Sequence, residues 1–382
     1  MNAMTQGQSI TALTMALVGA TLAAADAPVV MTTFTHMEGS FQYPSLAAFQ
    51  AHASKLRAAM SLFEEYGARM TIETEKSFAN ACSTYGDNVL AEAVARGHGV
   101  GTHCDFGMNS APTTPELYAL NFLANRAPVD ALVGPTNNRH CSGGMGESDW
   151  IQAASIAGFA FRSEAVALGY LSMPMEVRPP GWTNQYIRTV VSHEPCPLDL
   201  ADRLKPRRLA NALNWDADPG AAHVLIGGGL GRIDIFEESA NGSPVGQNPP
   251  FTQQDVDLFF AAVDEALLVR DQTHFAKVLV HFAIGALDAA DEFRIRQVLG
   301  GLRTSYVIPG MMVWGTQGQA YDAFVQWESG EPSDLDGNGL VDGADLAGLL
   351  ARWGYGTGIG DINFDGVVDG ADLGQMLADW SP

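Results

Sequence analysis

Histidines and carboxylates gather at four places in this chain, each where a β-forming run ends. Val29–Phe34 leads into Thr35-His36-Met37-Glu38, and Arg69–Ile72 into Glu73-Thr74-Glu75. Val100–Thr102 leads into His103-Cys104-Asp105, and Lys277–Val280 into His281. His103 and Asp105 are two residues apart, so on a strand they share one side. A histidine and a carboxylate on one side of a strand end can hold a metal or move a proton. Paired carboxylates such as Glu38 and Asp105 could instead cleave a glycosidic bond. Glu73 and Glu75 are a second pair, or a solvated strand end. Core packing alone does not explain the concentration, because buried acids need partners.

The elements that must position these residues alternate. Helical periodicity marks Leu46–Tyr66, Asn88–Arg96, Thr114–Asn125, Ser148–Ala157, Phe251–Arg270 and Ala289–Leu299. Between them the strand candidates are 29–34, 69–72, 100–103, 131–134, 159–162, 223–226, 277–282 and 306–313. Strand-then-helix repetition predicts an α/β fold, a distorted (β/α) barrel of seven to eight parallel strands. No glycine-rich dinucleotide fingerprint follows the first strand. In such a barrel the active residues stand at the C-terminal strand ends, where the four clusters lie. Asn138, Arg139 and His140 belong to a polar stretch after the expected fourth strand, the place for substrate-binding contacts. Residues 163–222 show no regular pattern.

The 382 residues leave room for a large barrel plus a small module. Net charge is −22; residues 334–382 hold nine Asp against one Arg and so carry −8 of it. An acidic chain repels nucleic acid and anionic membranes, and neither is an expected partner. Cys82, Cys104, Cys141 and Cys196 form no CxxC pair, which excludes a zinc finger and a dense disulfide framework. Ile10–Ala25 is an apolar run of small residues with cleavage sites after Ala25 or Ala27. It reads as a secretory signal, too short for a membrane span, and places the protein outside the cell or at its surface. The expected division is 1–27 signal, 28–328 barrel, 329–333 linker and 334–382 module.

Three places resemble the polysaccharide deacetylase (NodB-like) family of the wider glycoside hydrolase/deacetylase barrel superfamily. Thr33-Phe34-Thr35-His36 stands where that family has Thr-Phe-Asp-Asp. Gly97-His98-Gly99-Val100-Gly101-Thr102-His103 is similar to its Gly-His-Glu-Ile-Gly-Asn-His. Val278-Leu279-Val280-His281 is similar to its late strand bearing a catalytic histidine. The resemblance implies a divalent transition metal such as zinc, with His36, Glu38, His103 and Asp105 as ligands. It also implies water attack on an acetyl carbonyl, with Glu38, Asp105 and His281 as the proton-transfer residues and a carbohydrate as substrate. The chain departs from the pattern: the family's first Asp falls on Thr35, its second on His36, and its second motif histidine on Gly107. Asp105, Glu38 or His140 is the expected substitute. A barrel that only binds carbohydrate, without catalysis, is the alternative.

The C-terminal motif is a repeat. Asp334-x-Asp336-x-Asn338-Gly339-Leu340-x-Asp342-x-x-Asp345 returns 27 residues later as Asp361-x-Asn363-x-Asp365-Gly366-Val367-x-Asp369-x-x-Asp372. Hard oxygen ligands at positions 1, 3, 5, 9 and 12, a backbone carbonyl at 7 and Gly at 6 are the logic of a calcium loop. All twelve residues are expected ligands of two calcium ions. Tandem loop-plus-helix units with Asp at position 12 resemble the dockerin domain, a small all-α, EF-hand-like module. That resemblance implies a cohesin-type scaffold or cell-surface protein as partner. Leu346, Leu349, Leu350, Trp353, Leu373, Met376, Leu377 and Trp380 are expected to form the shared apolar face of its two helices.

Overall fold

A computed structural model describes residues 27–38, 42–231, 252–287 and 289–381, and the backbone of 235–236. Apart from Ala27, the expected signal lies outside these residues. The sheet is centred on β1 (Val29–Met37), which pairs in parallel with β9 (Ala276–Phe282) on one side. On the other side Val30–Thr32 pair with β10 (Val313–Gly315), and from Thr33 onward with β2 (Met70–Thr74). From β2 the parallel order continues through β3 (Gly99–Cys104), β4 (His140–Gly143), β5 (Phe161–Arg162) and β7 (Val224–Leu225). β6 (Arg207–Arg208) runs antiparallel at the β7 edge, and β8 (Ile235–Phe236) lies beside β9. The sheet curls until Leu279 N–H of β9 donates to the Gly228 carbonyl, just beyond β7, at 3.1 Å. This is the distorted (β/α) barrel that the alternation implies.

Alternation along the strands separates two environments. Val29, Met31, Met70, Ile72, Val100, Val278 and Val280 join the outer core. There they meet α1 (Leu46–Glu65), α2 (Lys76–Tyr85), α3 (Val89–Ala95), α8 (Gln253–Val269) and α9 (Glu292–Leu302). The intervening residues are buried and mostly polar, including Thr32, His36, Thr71, Glu73, His103, His140, Ser142, Lys277 and His281. The N-terminal end of the barrel is closed by an apolar floor. Val30, Phe161, Val224, Phe275 and Val313 pack there against Ala320, Ala323 and Phe324 of α10 (Gln317–Ser329).

Two expected elements differ. Ala131–Gly134 is no strand: α4 (Pro115–Val133) continues through it and ends at Gly134, φ 79°. Val129, Leu132 and Val133 recur at helical spacing against the core, which outweighs the β preference of a short apolar run. The fourth strand is the polar His140–Gly143, whose side chains serve the buried polar interior. Residues 303–307 form a π turn, so only the end of the expected last strand is extended. In the 163–222 region, Trp215 packs at 6.4 Å from Trp150 and 4.6 Å from Tyr170, as core.

In the C-terminal module α11 (Gly343–Leu350) and α12 (Gly370–Ala378) each start at a capping box, Asp342 with Asp345 and Asp369 with Asp372. The expected apolar face is half right. Leu349 and Met376 are buried with Val341, Ile362 and Val368, while Leu350, Trp353, Leu377 and Trp380 are exposed. Loop residues fill the small core, and both helices end before their tryptophans are reached.

Candidate metal centres

Register carries the polar interior to one place. His36 of β1 is aligned with Glu73 of β2, Glu73 with Gly101 of β3, and His103 with Ser142 of β4. Glu73 is fully buried. His36 Nε2 donates to its Oε2 at 2.9 Å, and His140 Nε2 donates to its Oε1 at 3.0 Å. His140 reaches across β3 because residue 101 is glycine: a Cβ there would stand 2.2 Å from His140 Nε2. The outer face of the His140 ring stacks on Phe161 at 4.7 Å. His103 stacks on His36 with ring centroids 4.0 Å apart, and its Nδ1 lies 2.8 Å from Ser142 Oγ. His281, stacked on Phe34, has its ring 4.5 Å from His36, and its buried Nε2 has no hydrogen-bond partner among the described residues.

The electrostatics follow from burial and from Glu73. Burial pushes the Glu73 carboxyl up, but the hydrogen bonds and charges of His140 and His36 outweigh it and hold the group well below its usual range. Burial alone would lower His36; the hydrogen bond and charge of Glu73, with the charges of Glu164 and Glu38, raise it to about 9. Burial and the charge on His36 push His103 and His281 well below the ordinary histidine value.

One ligand atom from each of His36, Glu73 and His103 lies within 4.8 Å of the other two. Two imidazole nitrogens and a carboxylate oxygen, buried and held from behind by Ser142 and His140, fit a first-row divalent metal with open positions. His36 Nε2 must give up the proton it shares with Glu73 before it can ligate.

Comparison with known proteins gives matches only among structures. No protein-family profile and no curated protein matches the chain. A putative polysaccharide deacetylase from Mycobacterium smegmatis is similar at 9% identity and TM-score 0.47, over 74% of this chain and 86% of that one. Puue allantoinase is similar at 11% and 0.45, over 77% and 92%. A probable polysaccharide deacetylase from Pseudomonas aeruginosa PAO1 is similar at 12% and 0.45, over 73% and 86%.

The structure sorts the expected site residues. His36, His103 and His281 come together, and Glu73, not Glu38 or Asp105, supplies the carboxylate of the cluster. Asp105 is exposed, and its N–H donates to Glu75 Oε1; Glu38 is half-buried and acts on His36 and Glu75 by its charge. These acids follow the strand ends, so they form a rim instead of joining the inner layer. Asn138, Arg139 and His140 are not a substrate loop. They enter β4 from its N-terminal end: Asn138 binds Thr102 and Asp130, and Arg139 pairs with Asp322 of α10 at 2.7 Å.

Sequence reasoning missed Glu164. It follows β5, its side chain is about a fifth exposed, and its Oε1 is 3.9 Å from His36 Nε2. The rule that flagged the other strand ends applies to Phe161-Arg162-Ser163-Glu164, had the strand been followed two residues further. Arg162, fully buried, lies over the Trp150 ring at 4.7 Å and donates to the Gly143 carbonyl, which fixes that strand end.

The C-terminal loops are a second kind of centre. Asp334, Asp336 and Asp345 each offer an oxygen within 4.8 Å of the others. Asp345 is fully buried and accepts from the amides of Leu335, Asp336 and Asp342. In the second loop Asp372 accepts from Ile362, Asn363 and Asp369. Burial, then the charges of Asp372 and Asp365, push Asp361 up to about 7, although the Gly366 amide opposes them.

Proposed function

We propose that the barrel is a metal-dependent hydrolase that removes acetyl groups from a glycan, and that the C-terminal module binds two calcium ions. The observation that carries the first part is the buried His36–Glu73–His103 cluster at the C-terminal ends of parallel strands. A divalent ion such as zinc supplies Lewis acidity there, polarising the acyl carbonyl and acidifying water. Glu164, beside His36 and partly open to solvent, takes the proton from the attacking water. The new bond joins the water oxygen to the acyl carbon; the bond from that carbon to the glycan oxygen or nitrogen breaks. Glu164 passes that proton on to the departing atom, leaving a free hydroxyl or amine and acetic acid, which ionises to acetate. His281, held neutral, offers its unbonded Nε2 to the reacting groups as a hydrogen-bond partner. Glu38 and Asp105, on the rim with Glu75, orient the glycan.

The calcium ligands of this proposal are Asp334, Asp336, Asn338, Leu340, Asp342 and Asp345, and Asp361, Asn363, Asp365, Val367, Asp369 and Asp372. The exposed Leu350, Trp353, Leu377 and Trp380 support a protein partner of the cohesin type on a scaffold or cell surface. Secretion is part of the same proposal. No helix among the described residues is long and apolar enough to cross a membrane.

The test is acetate release from acetylated chito- and xylo-oligosaccharides by the full chain. Release that a transition-metal chelator stops and zinc restores is expected. A purified chain that retains no transition metal and releases no acetate would overturn the proposal.

A further inference from the structure

The two calcium loops are copies in sequence but not in surroundings. Position 4 is Gly337 in the first loop and Phe364 in the second, and both have positive φ, 73° and 58°. Glycine adopts that backbone freely, whereas a residue with a bulky side chain does so under strain. Contact holds Phe364 there: its side chain is partly buried against the cluster that forms the apolar floor of the barrel. Two neighbours seat the same segment. Thr357 Oγ1 donates to the Trp314 carbonyl at 2.6 Å, and Gly366 approaches so closely that a Cβ would stand 3.2 Å from Val313 Cγ1. In the first loop, a Cβ on Gly337 or Gly339 would meet nothing within 4 Å.

Phe364 lies between the ligand positions Asn363 and Asp365, so one backbone conformation sets both the ring and the ligands. Asp365 N–H donates to Asp361 Oδ1 at 3.0 Å and to Asn363 Oδ1 at 2.9 Å, which draws the ligands inward in that conformation. Without a cation the acids of the loop repel one another and favour a more open backbone. The contacted strand, β10, is paired with the N-terminal half of β1, whose other end carries His36.

We propose that the second loop is a latch on the barrel floor. Calcium held there fixes Phe364 and Gly366 against β10, so loading the module tightens the barrel, while the first loop binds calcium without this effect. The proposal rests on the calcium reading above, and it makes the module part of the barrel's own structure.

The test is hydrogen exchange of the full chain, read by mass spectrometry on peptides covering 28–34 and 313–327, in calcium and in chelator. Calcium is expected to slow exchange about tenfold in both peptides. Asp345→Ala should keep this protection and Asp372→Ala should lose it. Phe364→Gly should lose it while titration calorimetry still finds two calcium ions bound, and that variant carries the test if Asp372→Ala fails to fold. Two bound calcium ions with no change in either peptide would overturn the latch alone. No calcium binding at all would overturn the calcium reading and the latch with it.

Discussion

The barrel centre and the second acidic loop of the C-terminal module both gather buried carboxylates, but they balance charge differently. In the barrel, Glu73 is satisfied by hydrogen bonds from two histidines, and His36 is raised to about 9 by that partner. The cluster is neutralised within the chain before any ion arrives. In the loop, Asp361 is surrounded by Asp372 and Asp365, and burial with their charges pushes it up to about 7. No cationic side chain is hydrogen-bonded to it among the described residues, and the backbone amides of Asp365 and Gly366 are its donors. The first arrangement can be folded and waiting; the second, on the proposed calcium reading, would be completed by the ion. Preorganisation suits a site that must present open positions to a substrate, and dependence on the ion suits a structural switch.

Removing Glu73 should break this comparison most severely. Glu73→Ala leaves His36 and His140 buried without their acceptor, at a cost of about 3–5 kcal/mol, and should abolish transition-metal retention. Glu73→Gln keeps the volume and should lose metal with a smaller fall in stability. Thermal melts and elemental analysis after dialysis read both. Full metal content in Glu73→Ala would show that the carboxylate is not a ligand.

Next in size is the loop end. Asp345→Ala deprives three amides of their acceptor as well as the ion of its ligand, so about 2–3 kcal/mol of module stability should go. Calorimetry should find one calcium site weakened more than about tenfold. Two unchanged sites would show that the first loop closes on its amides alone.

Gly101→Ala probes the self-neutralised centre more gently. The added methyl cannot coexist with the His140 ring, which is confined by Phe161 behind it. Overpacking of about 1–3 kcal/mol is expected, with weaker metal retention as Glu73 loses its second donor. Urea unfolding measures the first and elemental analysis the second; a variant as stable as the parent would mean that His140 is not fixed by this approach.

Legibility in the sequence divides along the same line. The proposed calcium loops are local: twelve consecutive residues contain every ligand of the proposal and the turn that arranges them, so spacing alone suggests them. The barrel cluster draws on residues 36, 73, 103, 140 and 281, each from a different strand. Strand ends identified His36, His103 and His281, but pairing between strands decides which neighbour faces which, and that is not written in spacing. Glu73 therefore looked no better than Glu38 or Asp105. His140 was misplaced because a polar four-residue strand inside a polar interior looks like a loop. Gly101 stands in the sequence only as part of the motif leading to His103, whereas in the fold it lets the His140 side chain pass.

The smallest effect concerns a histidine without Glu73's help. His223 is buried, its Nδ1 donates to the Phe159 carbonyl at 3.1 Å, and its Nε2 has no partner among the described residues. Burial, then the charge of Arg162, lowers it to about 3. The unfolded chain takes up this proton below about pH 6.5, while the folded chain resists until near pH 3. Above pH 6.5 the group is neutral in both states and contributes no pH dependence. Between those limits the unfolded state holds the extra proton, so stability falls with pH, by up to about 1.4 kcal/mol per unit. From pH 6.5 to pH 5 this one residue should remove about 2 kcal/mol. His36, raised by its carboxylate, moves the opposite way: its pairing is retained through this range. His223→Asn keeps a donor and cannot titrate, so urea unfolding at both pH values should show a shallower loss than in the parent. Parallel losses in the two proteins would mean that His223 is accessible to protons in the folded state, and that burial without a carboxylate does not suffice to keep a histidine of this barrel neutral.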